Sequence, residues 1–130
     1  MNRILFAGLS SGSGKTAVTC ACLRALQKKG ISAAAFKCGP DYIDPMFHQR
    51  VLGIPGENLF FSDAKTLQSQ IACYEQRCNI AVLEGVMGYY DGLGGVSDRD
   101  STWDVACATN TPVILVVRPK GASLTIAAQV

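Results

Sequence analysis

The sequence predicts an α/β fold, a parallel β-sheet flanked by helices, and three observations carry that expectation. Short apolar runs alternate with helix-like segments along the chain. The runs are apolar on both faces, as strands covered by helices on each side are. A loop rich in glycine and serine joins the first run to the first helix. The 130 residues, 48% hydrophobic and 17% charged, are of single-domain length, with enough apolar sequence for a core. A net charge of +2, spread along the chain, leaves no electrostatic footprint for nucleic acid or an acidic membrane. No apolar stretch approaches the ~18 residues needed to cross a bilayer. The run from Ile4 to Gly8 is too short for a signal peptide, and a cytoplasmic protein is expected.

Taken in order, Ile4 to Ala7 reads as a buried strand that enters a turn. A helix from about Lys15 to Lys29 follows, with Val18, Cys22, Ala25 and Leu26 at helical spacing and Lys28 and Lys29 beside its negative end, before a stop at Gly30. Ser32 to Lys37 is the second strand, although three alanines weaken its β character. Asp44 and Pro45 start a short helix over Met46 to Leu52, which Gly53 and Pro55 end. Ser62 or Asp63 caps a helix running to about Arg77. Asn79 to Leu83 is the third strand, Ser101 to Thr109 a helix, and Val113 to Val117 the fourth strand. Another helix begins after Gly121. Four strands make a thin sheet with an exposed edge, so an N-terminal piece of a longer protein is expected. Of six cysteines, Cys20, Cys22, Cys73, Cys78 and Cys107 fall in apparent helices, where they are expected to act as small buried hydrophobes; their spacings do not fit a zinc knuckle.

The chemistry is concentrated in the loop from Gly8 to Thr16. A loop that opens a helix offers unpaired N–H groups and the positive end of the helix dipole, and glycines let the backbone close around phosphate oxygens. Lys15 would supply a point charge to β and γ phosphates, and the Thr16 hydroxyl is a natural Mg2+ ligand. Gly12, Ser13, Gly14, Lys15, Thr16 and Ala17 thus form the expected nucleotide-binding set of a P-loop, with ATP and Mg2+ as ligands. The first glycine, Gly8, stands one residue earlier than in the usual P-loop spacing. Glu84 ends the third strand, at the sheet edge where α/β folds gather ligands, and is the candidate metal carboxylate; a merely solvated acid is the alternative. Lys37 closes the second strand on the same edge, ahead of Asp41 and Asp44. That segment could equally be a turn rich in glycine, proline and aspartate. His48, the single histidine, is expected to be structural.

These segments resemble the cobyrinic acid a,c-diamide synthases, which share a P-loop domain with dethiobiotin synthetase. The resemblance covers essentially the whole chain. It is carried by Gly8 to Thr16, by Lys37 to Pro45 with His48, by Glu84 to Gly92, by Ser101 and Thr102, and by Pro112 to Val117. The longer glycine spacing is also a feature of that group. The resemblance implies a dethiobiotin-synthetase-like domain over residues 1–130, incomplete at its C-terminus and lacking the C-terminal glutaminase domain of such enzymes. It implies that ATP phosphorylates a carboxylate of a corrin-type tetrapyrrole and that glutamine-derived ammonia then displaces phosphate. Matched by position, Lys15 and Lys37 are implied to hold phosphate, Thr16 and Glu84 the metal, and Asp41 and Asp91 to act at metal and substrate. Lys15, Lys37, Asp41 and Asp91 are then the catalytic set, and Tyr42, Ile43 and Asp91 face the tetrapyrrole. A homodimer is compatible with this reading.

The chain departs from the family pattern at Phe60, where an acid is usual, at Trp103, where a small residue is usual, and at Arg118, again in place of an acid. Trp103 and Arg118 are expected to border the nucleotide-base or substrate pocket and so bear on substrate choice, and they leave the ATP site intact. Two other readings share the fold. One is a dethiobiotin-synthetase-like carboxylating ligase, against which the segments at Gly39 to Pro45 and Glu84 to Gly92 argue. The other is a partitioning-type ATPase switch, which carries an extra lysine early in the P-loop, where this chain has Leu9 and Ser10.

Overall fold

The computed structural model describes residues 1–39 and 48–130. The candidate residues Asp41, Tyr42 and Ile43, and the helix start expected at Asp44 and Pro45, lie outside the described residues. The main elements are β1 (Asn2–Gly8), α1 (Lys15–Lys28), β2 (Ala33–Cys38), β3 (Gly56–Leu59), α2 (Ala64–Ala72), β4 (Ile80–Glu84), α3 (Thr102–Thr109) and β5 (Val113–Val116). Short helical turns occupy His48–Leu52, Leu93–Gly95 and Leu124–Ala128. The strands form one five-stranded sheet in the order β3-β2-β4-β1-β5, and every pairing is parallel.

Strand alternation sorts the core into two layers. Leu5, Ala7, Ala34, Phe36, Cys38, Ala81 and Leu83 pack on one face with Leu67 and Ile71 of α2 and Val105 and Ala106 of α3. Phe6, Ala33, Ala35 and Val82 pack on the other with Leu23 of α1. The small alanines of β2, which weaken its strand character in isolation, are all buried and let a helix approach each face.

Helix boundaries follow local chemistry. Asp63 caps α2, accepting from the Thr66 N–H at 3.0 Å, and Ser101 caps α3, accepting from the Asp104 N–H at 3.2 Å. At the end of α1, Lys29 and Gly30 donate back to carbonyls of the last turn, and Gly30 takes φ +71°, as a glycine helix stop does.

Four expectations need correction. The sheet has five strands, not four, because Gly56–Leu59 pairs in parallel with β2. The helix begun at Asp63 ends at Ala72; successive turns then carry the chain to Cys78, which lies outside any helix. After Gly121 there is a short 3-10 segment, Leu124–Ala128, instead of an α-helix. Of the five cysteines expected to be buried in helices, only Cys78 is buried. Cys20 and Cys22 are half-buried, and Cys73 and Cys107 are exposed.

The topology determines where a ligand can sit. From β1 the chain crosses past β4 to reach β2; from β4 it crosses past β1 to reach β5. The connections leave β1 and β4 in opposite directions, and the C-terminal ends of such strands are the usual binding position in open α/β sheets.

The edge strand β3 depends on a glycine. A Cβ on Gly56 would lie 1.7 Å from the Ala35 carbonyl oxygen, a backbone atom that cannot swing aside. Gly56→Ala is expected to destabilise the protein by about 1–3 kcal/mol, typical of overpacking. Urea denaturation measures this, and an unchanged midpoint would contradict the close strand approach.

Candidate functional site

The Gly8 to Thr16 loop leaves β1 and enters α1 with a backbone that only glycine adopts readily: Gly12 has φ +73° and Gly14, the N-cap, φ +98°. Among the described residues no side chain caps α1, and its first turn carries no acid. Side chains of Asp63 and Ser101 cap α2 and α3. The first N–H groups of α1 are therefore left to an external anion. The Ser13 Oγ is buried with no hydrogen-bond partner among the described residues, a second unmet polar group in the same loop. A Cβ on Gly8 would lie 2.1 Å from that Oγ and 3.1 Å from Lys15 Nζ, so the early glycine lets the longer loop fold back over its own strand.

Lys15 is buried, at 7% exposure. Its ammonium donates to the Ser10 carbonyl at 3.1 Å and to the Met87 carbonyl at 2.8 Å, tying the loop after β1 to the loop after β4. Burial, and next the charge of Lys37, lower its pKa from the ordinary 10.5; Glu84 and Asp91 oppose the shift.

On the neighbouring strands, alternation puts Lys37 on the same face as Ala33 and Ala35, and Glu84 on the same face as Val82. This is the face that α1 covers. The two residues are direct partners in the parallel register. Lys37 Nζ lies 2.8 Å from Glu84 Oε1, and the Thr16 hydroxyl donates to that same oxygen at 2.5 Å. Glu84 has no exposed surface, and its Oε2 has no hydrogen-bond partner among the described residues. Leaving a buried acceptor unmet costs on the order of 1–3 kcal/mol, and more for a charged group.

Gly12, Gly14, Lys15, Thr16, Ala17, Lys37 and Glu84 line one cavity of about 420 Å3, which Ser11, Val86 and Met87 complete. An uncapped helix end, two lysines and an unmet carboxylate oxygen fit a polyphosphate with a divalent cation. Among the described residues no three His, Cys, Asp or Glu side chains form a metal cluster. Mg2+ needs none, because it usually binds through one or two protein oxygens plus phosphates and water.

Asp91 lies apart from this cavity. Its Oδ2 accepts from the Gly88 N–H at 2.8 Å, and with Leu9, Tyr89 and Tyr90 it lines a second cavity of about 300 Å3. It remains close enough to Lys15 to act on its charge. Tyr89 is tied to the P-loop through its N–H, which donates to the Gly8 carbonyl at 2.8 Å. Trp103, near the start of α3, stands 6.1 Å from the Tyr90 ring, centroid to centroid. Phe60 is exposed just after β3, Arg118 is exposed after β5, and His48 is buried in its helical turn. The sequence alone did not reveal the carbonyls of Ser10 and Met87, since backbone atoms leave no residue-type signal.

A strand, a glycine loop and an uncapped helix carrying Lys15 and Thr16, facing a buried carboxylate across the sheet crevice, define a P-loop nucleotide-binding domain. Residues 4–72 match the model of the CobQ/CobB/MinD/ParA nucleotide binding domain, CbiA. The chain is 46% identical over 131 aligned positions to a cobyrinate a,c-diamide synthase of Listeria innocua, which covers 98% of this chain and 29% of that protein. It is 42% identical to the Thermoplasma volcanium protein of the same name and 40% identical to that of Saccharolobus solfataricus. The chain belongs to the CobQ/CobB/MinD/ParA nucleotide-binding-domain family, and it spans about 29% of the length of these cobyrinate a,c-diamide synthase relatives. No helix among the described residues is long and apolar enough to cross a membrane.

The lowered Lys15 pKa has a measurable consequence. A bound polyphosphate favours the ammonium form, so where the free protein has partly lost that proton, binding takes one up. Nucleotide affinity is therefore expected to fall as pH rises toward 10.5. Calorimetry in two alkaline buffers of different ionisation enthalpy measures the uptake; equal heats in both would contradict it.

Proposed function

We propose that the intact protein is an ATP- and Mg2+-dependent amidoligase acting on side-chain carboxylates of a corrin-type tetrapyrrole, with glutamine as its ammonia source. Residues 1–130 are its N-terminal ATP-binding synthetase domain, and glutamine is hydrolysed in a C-terminal glutaminase domain beyond them. The substrate for which the relatives are named supports the substrate class. The observation that carries the chemistry is the Glu84 carboxylate, wholly buried, paired with Lys37 and Thr16, and short of one partner at Oε2.

When bound, ATP with Mg2+ supplies the γ-phosphoryl group: a substrate carboxylate oxygen takes it with release of ADP, and ammonia then displaces phosphate to leave the amide. The protein's part is positioning and charge neutralisation, which is most of what phosphoryl transfer requires. The N–H groups from Gly12 to Ala17 cradle phosphate, with Lys15 and Lys37 as its counter-charges. Thr16 and Glu84 hold the metal, together with Asp41. Asp91 acts at the chemical step and, with Tyr42 and Ile43, faces the tetrapyrrole. A cytoplasmic location belongs to the same reading.

Lys15→Ala is expected to abolish most ATP affinity, because the phosphate charge loses its buried partner. Asp91 and Glu84 separate two roles. An asparagine at 91 still accepts from the Gly88 N–H, so Asp91→Asn removes charge while keeping the loop. It should leave ATP affinity nearly unchanged and lower amide formation about 10²-fold or more. Glu84→Gln should weaken Mg2+-dependent ATP binding as well. ATP calorimetry and amide formation in the intact protein check both, and wild-type turnover in Asp91→Asn would reduce that acid to a loop brace.

A further inference from the structure

We infer that Thr102 is a positioning residue for the nucleotide and metal site, acting through the backbone of Val86; the inference rests on the roles proposed above for Glu84 and Lys15. Thr102 is the first residue of α3, is 1% exposed, and does not line the phosphate cavity. Its Oγ1 accepts from the Val86 N–H at 2.9 Å and donates to the Val86 carbonyl at 3.0 Å. One hydroxyl thus engages both polar groups of one backbone residue, in the loop that leaves β4.

The methyl group holds the other side of the same turn. A Cβ on Gly85 would lie 2.5 Å from Thr102 Cγ2 and 2.8 Å from its Oγ1, so glycine is what allows the side chain to close on this loop. The Gly85 N–H donates to the Phe6 carbonyl at 2.9 Å, which fixes the loop to β1 as well.

Val86 stands between two working groups. Before it is Glu84, whose carboxylate meets Lys37 and Thr16; after it is Met87, whose carbonyl receives Lys15 at 2.8 Å. Met87 has φ +49°, in the left-handed region that side chains other than glycine rarely adopt. Such a conformation persists where its surroundings over-determine it, and the Thr102 clasp acts on the adjoining residue.

The base of the clasp is itself anchored. Ser101, wholly buried, caps α3, and Asp104 Oδ2 accepts from the Asp100 N–H at 2.9 Å. The Trp103 N–H donates to the Tyr89 carbonyl at 2.9 Å, so the start of α3 grips the loop from Glu84 to Tyr89 at two points.

The test titrates ATP affinity of the intact protein against Mg2+. Thr102→Val keeps the shape and loses both hydrogen bonds; it should raise the Mg2+ concentration for half-maximal effect about tenfold or more, as loss of an outer-shell support does. Thr102→Ala removes the methyl as well as the hydroxyl and carries the same expectation. Thr102→Ser keeps the hydroxyl and should stay within about twofold of wild type. A residue that only supports the fold would lower Tm in these variants without moving the Mg2+ midpoint. A wild-type midpoint in the alanine and valine variants, or a serine variant as impaired as valine, overturns the inference. A wild-type protein that binds ATP without any Mg2+ effect overturns the metal reading itself, and so the two failures remain distinct.

Discussion

The arrangement turns on a carboxylate with no access to water. Removing an ionised group such as Glu84 from solvent costs several kcal/mol, recovered only when an opposite charge and well-directed hydrogen bonds meet it. Lys37 on β2 and Thr16 on α1 both converge on its Oε1, at 2.8 and 2.5 Å. This convergence requires β4 to lie beside β2 in the register that sets residue 37 against residue 84. It also requires α1 to begin where the residue after Lys15 can reach across the crevice. Breaking the pair on one side would leave a buried charge unmet, which is far more damaging than the loss of a surface ion pair. The sheet order, the helix start and the P-loop are thus coupled at one oxygen, while the other, equally buried, has no partner among the described residues.

Much of the fold was legible because its pattern is strong. β1, β4 and β5 contain short continuous apolar runs, and Asp63, one of two cap candidates in the sequence, stands immediately before α2. β3 was not legible. It has four residues, two of them the polar Glu57 and Asn58, and its place in the sheet comes from pairing with β2 and from the close approach at Gly56. No local signal carries either. The helix expected to run to about Arg77 stops at Ala72, and Tyr74 and Cys78 lie beyond its end. In the structure they pack from turns: Tyr74 is edge-on to Phe36 at 5.3 Å, and Cys78 joins the core beneath α2.

Legibility of the site divides along a similar line. Residue types with obvious chemistry, Lys15, Thr16, Lys37 and Glu84, could be named from the sequence, and they line one cavity. Their mutual distances depend on strand order, which spacing does not reveal. Asp91 shows the limit: its sequence distance from Glu84 is short, yet the loop turns it toward Gly88 and a second cavity. Thr102 shows another. Its value lies in gripping the backbone of Val86, and a threonine at the start of a helix carries no mark of that.

The central claim is that Glu84 and Thr16 form the metal side of a nucleotide site whose phosphate side is the P-loop. A crystal structure of the intact protein with Mg2+ and a non-hydrolysable ATP analogue tests it most directly. The account predicts the phosphates against the N–H groups from Gly12 to Ala17, with the metal on the Thr16 hydroxyl and on Glu84, directly or through one water. A nucleotide bound elsewhere, or a metal remote from a Glu84 still held only by Lys37 and Thr16, would contradict it.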